Sequence, residues 1–275
     1  MTATEVASAP TKVPEMRTVT LAAGAYPPIS LTAPAHCHVP RVIEKHGLGA
    51  HEPHAIAACL AAMQVTKGPF YDVGANVGVF SLLVAATLRR PCVSFEPTPE
   101  LADALDDAAQ RHYLPIELRR VALSSKLGVA KFYLSARSDA SNSLNPKFRA
   151  HSGEIDVECD TLDNLAPAEI GVLKIDTETT EPDVIRGAAK TIARLRPLIV
   201  IEVLPSGRSA AFMNDFLRDS GYVAYHITSK ATWRLRRAVE VAEAGEDRNW
   251  LFAPQPIADG FWTHLDAWRW RLIAK

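Results

Sequence analysis

Apolar and polar positions change period again and again along this chain, and the changes divide it into alternating elements. Between Pro53 and Val65, Ile56, Cys59, Leu60 and Met63 recur at helical spacing and predict a short helix with one buried face. Residues 69–73 then read as a strand, Val79–Leu88 as an apolar helix starting directly after Gly78, and Cys92–Phe95 as a second strand. Thr98 as cap and Pro99 at the first position start a helix whose Leu101, Ala104, Leu105 and Ala108 share a face, and 116–123 reads as a third strand. Two extra strands, 129–134 and 155–159, flank a polar loop at 135–153. Val172–Ile175 resumes the buried pattern, and a helix after Thr180 carries Val184, Ala188, Ile192 and Leu195 on one side. A strand at 198–203, a helix with Phe212, Met213, Phe216 and Leu217 that stops at Gly221, and strands at 222–227 and 249–252 complete the series.

Repeated β-α units predict an α/β fold: a doubly wound, mostly parallel, Rossmann-like sheet with helices on both faces. The last two strands have no helix between them and predict an antiparallel edge hairpin. The expected organisation is a loose tail rich in Ala, Thr and Pro (1–20), a cap segment with its helix (21–65), the α/β domain (66–254) and a Trp-rich helix (255–275).

Composition narrows the partners. Thirty basic and 31 acidic residues leave a net charge of -1, so no global field draws the chain to nucleic acid or an anionic membrane, and a small or uncharged partner is expected. Cys37, Cys59, Cys92 and Cys159 are scattered without CxxC spacing, and no secretory signal precedes them, which together predict reduced thiols and a soluble, cytoplasmic protein.

Open α/β sheets bind ligands where their strands end, and the first strand ends in Phe70-Tyr71-Asp72-Val73-Gly74-Ala75-Asn76-Val77-Gly78. Gly74 suits a tight turn with close ligand approach, and Gly78 suits close packing of the next helix. The spacing is GxxxG rather than the GxGxxG of a dinucleotide site, and Asp72 would repel a pyrophosphate but suit a donor with a cationic sulfur and amino group. That sign favours S-adenosylmethionine over NAD. Glu96, at the end of the second strand, can accept both hydroxyls of a ribose; its alternative is capping the next helix, a job already assigned to Thr98.

With these stretches in place the sequence resembles the FkbM family of S-adenosylmethionine-dependent methyltransferases, from about Glu52 to Pro254. The resemblance is carried by FYDVGANVGVF (70–80), FEP (95–97), VALS (121–124), TLDNL (161–165), LKIDTETTEPDVIRGA (173–188) and RPLIVIE (196–202). It implies a class I methyltransferase fold and O-methylation of a sugar or natural-product hydroxyl. Where the family usually reads KIDVEGAE, this chain reads Lys174-Ile175-Asp176-Thr177-Glu178-Thr179-Thr180-Glu181, keeping the acids and replacing glycine and alanine by threonines.

Such chemistry needs an acceptor oxygen aligned behind the methyl carbon and relieved of its proton. Asp176, at the end of the strand beside the cofactor strand, is the first candidate for general base; Glu178 and Glu202 would converge on the same pocket. Such a cluster either raises one pKa toward a useful base or seats a divalent cation. Lys174, two residues before Asp176, is expected to pair with a carboxylate, and Glu181 either joins the site or biases the following helix through its dipole. Val121, Ala122 and Leu123 would lie beside adenine, Asn76 belongs to the cofactor turn, and Glu52 is a candidate for the cofactor's amino group.

The histidines between His36 and His54 fit no zinc motif, because His51 and His54 are three apart with Pro53 between them, and they are read as a surface or substrate-facing segment. The loop at 135–153, with Arg137, Asp139, Asn142 and Asn145, suits a lid over a polyol. The Trp-rich helix is expected to dock on the domain or on a second copy in a homo-oligomer, with contact at a membrane surface as the alternative. A NAD-dependent oxidoreductase and a non-catalytic cofactor-binding partner subunit of the same fold remain the competing functions.

Overall fold

A computed structural model describes residues 14–204, 207–230, 234–236, 238–239 and 247–273. The chain begins with a hairpin, β1 (Met16–Leu21) and β2 (Ile29–Pro34), followed by α1 (His38–His46) and α2 (Pro53–Val65). The core alternates as β3 (Phe70–Val73), α3 (Val79–Leu88), β4 (Cys92–Phe95), α4 (Pro99–Arg111) and β5 (Ile116–Arg119). Then come β6 (Ala122–Leu123), β7 (Gly128–Ser135), β8 (His151–Asp160), α5 (Leu162–Leu165), β9 (Val172–Ile175), α6 (Glu181–Gly187), α7 (Ala189–Leu195) and β10 (Leu198–Glu202). The chain closes with α8 (Gly207–Ser220), β11 (Val223–His226), β12 (Arg234–Arg236), β13 (Asn249–Ala253) and α9 (Asp259–Ile273).

Eight strands form the main sheet in the order β12-β11-β13-β10-β9-β3-β4-β5. The run from β10 to β5 is parallel, and its four inner strands β10, β9, β3 and β4 are buried at every position, as expected of strands covered on both faces. One face packs α2, α3, α4 and α9 around Phe70, Val172 and Val200; the other packs α6, α7 and α8 around Tyr71, Val73, Leu173 and Ile201.

Several expectations are corrected here. Residues 16–20, assigned to a loose tail, belong to β1, whose Val19 and Leu21 alternate inward against Ile29, Leu31 and Ala33 of the hairpin; residues 1–13 lie outside the described set. The third strand is two: β5 ends at Arg119, Arg120 pairs with Asp103 and Asp106 of α4, and β6 joins a separate small sheet in the order β6-β8-β7. The helix after Thr180 breaks at Ala188 into α6 and α7. The antiparallel pair β11-β13 is present, but β13 inserts between β10 and β11, antiparallel to both, and β12 takes the edge.

The Trp-rich helix α9 packs on α2 of its own chain. Trp268 is fully buried, stacks on Tyr26 at 5.3 Å and donates from Nε1 to Gln64 Oε1 at 2.7 Å, while Phe261, Leu265 and Leu272 complete the buried stripe. Trp268→Phe keeps most of the apolar burial and loses the hydrogen bond, so it should cost about 1–2 kcal/mol in denaturant unfolding; no loss of stability would mean that α9 is not anchored there. Among the described residues no helix is long and apolar enough to cross a membrane.

Candidate active site

The strand order reverses between β3 and β9, with β4 and β5 on one side and β10 on the other, and ligands of open sheets sit at such a switch point. A cavity with about 930 Å³ of empty space opens there, at the carboxyl ends of β3, β4 and β9. Gly74 turns the chain away from β3 at φ +78, and a Cβ added to it would lie 1.9 Å from the Asp176 carbonyl oxygen. The missing side chain allows the close approach of β3 and β9, which draws Asp176 to the cavity. Gly78, at φ +85, faces Leu105 of α4 and does not line the cavity, so it serves the packing of α4 and not a cofactor contact.

Of the remaining residues expected at the cofactor, Gly74, Asn76, Glu96, Val121, Ala122 and Glu52 all line this cavity. Glu96 accepts from the Asn76 N–H at 2.9 Å on Oε2 and from the Thr98 N–H at 2.8 Å on Oε1. Thr98 itself makes no side-chain capping bond; Glu96 instead meets the N–H of this cap residue. Each carboxylate oxygen keeps a second acceptor site. Burial raises the pKa of Glu96 and the two backbone donors oppose that rise.

Asp72 is placed differently from the expectation. It is fully buried outside the cavity wall, accepts from Ser81 Oγ at 2.7 Å, and lies 3.4 Å from Lys174 Nζ. Register explains this: Asp72 sits opposite Lys174 on neighbouring strands, both on the face covered by α3. Lys174, not Asp72, reaches the cavity, with Nζ 3.4 Å from Asp176 Oδ2 and 4.6 Å above the Phe80 ring. Burial alone would lower its pKa, but Asp176, Asp72 and Glu52 outweigh that and hold the ammonium charged. The cavity thus meets a compensated cation where a bare carboxylate was expected.

Asp176 and Glu178 line the cavity, and Glu202 closes on them from β10; one carboxylate oxygen of each lies within 4.8 Å of the others. Glu178 (φ +55) and Thr179 (φ +83) both hold the left-handed backbone region, strained for a β-branched residue. The turn is held by Glu181, fully buried, which accepts on Oε1 from the N–H groups of Thr177 and Thr179. The loop between β7 and β8 clasps it as well: Ser143 Oγ donates to the Glu178 carbonyl at 2.7 Å and Asn145 Nδ2 to Thr179 Oγ1 at 2.8 Å. Glu181 is thus a builder of the turn, and Glu178 is aimed by strain.

Crowded acids in a desolvated wall favour their neutral forms. Burial first, then Asp176 and Glu181, pushes Glu178 up to about 9; burial, then Asp176, brings Glu52 to about 7, and burial brings Glu181 to about 7. Glu202 is raised well above its usual range by burial, Asp176 and Glu178. A raised folded-state pKa gives stability that is complete below the ordinary carboxylate value and is lost as pH rises through 7 and then 9. Ligand-free protein should therefore have a Tm roughly 5 °C or more lower at pH 9 than at pH 6.5; a flat profile in that window would show that the carboxylates ionise freely.

Sequence reasoning missed His51 and Phe80 as cavity residues. His51 packs edge-on against Phe80 at 6.4 Å, and burial with Lys174 nearby lowers it to about 4, which keeps the imidazole neutral. The substrate-facing reading of that histidine segment was the available signal. His36, Cys37 and Glu100 also come within metal-binding distance of one another; His36 bonds Glu100 at 3.0 Å, and burial pushes the Cys37 thiol up to about 12. Asp139, Ala140 and Asn142 of the loop at 135–153 do reach the cavity.

A cavity at the switch point of a doubly wound sheet, lined by apolar side chains and carboxylates, together with the match to a methyltransferase domain, places the chain among the class I methyltransferases. It belongs to the FkbM family: residues 72–224, more than half of the chain, match the methyltransferase FkbM domain. The methyltransferase FkbM of Methylobacillus flagellatus KT is similar in structure at TM-score 0.46 and 14% identity, over 79% of this chain and 56% of that one, so the chain spans little more than half of that protein's length. A precorrin-6y C5,15-methyltransferase from Geobacter metallireducens GS-15 (TM-score 0.38, 12% identity, 72% of this chain and 84% of that one) is also similar. So is the human methyltransferase 10 domain containing protein (TM-score 0.41, 12% identity, 82% and 87%). No curated protein sequence matches the chain. The family implies S-adenosylmethionine as the methyl donor.

Proposed function

We propose that the chain methylates a hydroxyl of a small polar molecule or sugar, with Asp176 taking the hydroxyl proton. The donor set fits S-adenosylmethionine: Glu96 has free acceptor positions for the ribose hydroxyls, and Val121 and Ala122 offer an apolar wall to adenine. Glu52 and Lys174 offer the zwitterionic amino acid part a partner of each sign. When bound, the sulfonium supplies an electrophilic methyl group, so the protein's task is alignment and proton removal.

The observation that carries the reading is the position of Asp176, at the cavity wall between Lys174 on one side and Glu178 and Glu202, both with pKa values raised by burial, on the other. Neutral Glu178 and the loop amide of Asn142 can hydrogen-bond an acceptor's remaining hydroxyls, and Asp176 is the carboxylate of the three that touches the Lys174 ammonium. Calorimetry with S-adenosylhomocysteine, followed by mass spectrometry for a gain of one methyl group on sugar and polyol acceptors, tests this; cofactor binding with transfer only to amines or carbon would overturn it.

The unpartnered Glu202 Oε2 lends weight to a second use of the same three acids, seating a divalent cation that polarises the acceptor. Treatment with a chelator separates the two. Base catalysis by Asp176 expects unchanged turnover, whereas loss of activity restored by Mg²⁺ or Mn²⁺ would favour the cation.

A further inference from the structure

Beyond Thr179 the acidic cavity gives way to a groove of opposite sign. Among the described residues that line it are four cations, Lys147, Arg149, Arg186 and Arg248, and one carboxylate, Asp183. Arg186 is committed, paired with Asp183 at 2.9 Å and stacked on Phe212. Among the described residues the side chains of Lys147, Arg149 and Arg248 have no hydrogen-bond or ion-pair partner, and Arg149 Nε is buried without an acceptor while its guanidinium lies 4.7 Å over the Phe148 ring. A stacked guanidinium is pre-organised, so little freedom is lost when an anion docks on its fork. A buried donor left unpaired is costly, and an oxyanion removes that cost.

The groove is also next to the chemistry. Arg149 is close enough to oppose the rise of the Glu178 pKa, and Arg248 opposes that of Glu52. Arg248 further lines a smaller hollow together with Glu52 and Glu202. The charge layout is therefore bipartite: carboxylates around the point of methyl transfer, free cations just outside it. A bound molecule with a hydroxyl at one end and an anion at the other fits this field in one orientation only.

We propose that the groove holds a phosphoryl group of the methyl acceptor, so that the substrate is a phosphate ester whose hydroxyl reaches Asp176. Three donors, two from the loop between β7 and β8 and one from just before β13, match the three terminal oxygens of a phosphate monoester better than the two of a carboxylate. This rests on the acceptor reading of the cavity given above and specifies its substrate class.

The test is titration of the full chain, saturated with S-adenosylhomocysteine, with inorganic phosphate, glucose 1-phosphate, glucuronate and glucose at constant ionic strength. The two phosphates should bind about tenfold or more tighter than glucuronate, glucose should bind more weakly still, and R149Q or R248Q should each weaken phosphate binding by about tenfold, with the cofactor product's affinity unchanged in R149Q. Glucuronate binding as tightly as phosphate, phosphate binding that survives in R149Q and R248Q, or phosphate displacing S-adenosylhomocysteine from the cavity would each overturn the proposal. Methyl transfer to neutral sugars with no phosphate binding would overturn it while leaving the hydroxyl methyltransferase reading intact; failure of S-adenosylhomocysteine to bind at all would remove both.

Discussion

Asp176→Asn should lower methyl transfer by about 10²- to 10⁴-fold, the usual worth of a positioned general base, while S-adenosylhomocysteine binds with near-normal affinity. The substitution keeps shape and removes only proton affinity at the wall where Lys174, Glu178 and Glu202 meet. Glu178→Gln supplies the contrast. At neutral pH Glu178 is already protonated, with a pKa near 9, and an amide resembles the neutral acid, so turnover should fall by less than about tenfold. Single-turnover measurement at saturating donor and acceptor separates the chemical step from binding. If the Asn variant keeps wild-type rates, or if the Gln variant is the slower of the two, Asp176 is not the base.

How the sequence led to this residue, and where it misled, follows from what a linear pattern contains. Strands buried on both faces betray themselves by mostly apolar runs, so β4 and β9 were legible to the residue in spite of Ser94 and Lys174, as was α3 behind its glycine. The β1-β2 hairpin was not, since its two six-residue strands carry threonines and a proline and are made apolar only on the side that meets α4 and α1. The break at Arg120 was hidden because the residues after it are as strand-like as those before; beyond it the chain pairs with β8 instead of continuing β5, a long-range fact.

Asp72 shows the limit within the site. Residue type at a strand end announced an acid, but the side to which a side chain points depends on parity within the strand and on what the neighbouring strand presents. A lysine inside the otherwise apolar 172–175 run was the overlooked sign, because a buried ammonium must find a partner, and register offered Asp72. By the same parity Asp72, Lys174 and Glu202 all fall on the α2 side of the sheet, where Glu52 begins that helix. The acids converge because they share a face, not because they share a motif.

The largest effect on stability should come from Lys174→Met. Methionine fills nearly the same volume, but it strips the compensating charge from Asp72, which has no exposure and whose Oδ1 has no hydrogen bond to fall back on. Breaking one partner of a buried pair typically costs 3–5 kcal/mol, so urea unfolding should show a loss of about that size. Replacing both partners is cheaper than replacing one, because the uncompensated charge disappears with them; Asp72→Asn with Lys174→Met should recover about half of the loss or more. The same pair of variants also separates structure from chemistry. If Asp72 matters only through Lys174, the double variant should fold well and bind S-adenosylhomocysteine more weakly, as the cavity has lost its cation. A double variant no more stable than Lys174→Met alone would mean that Asp72 is not the charge Lys174 compensates.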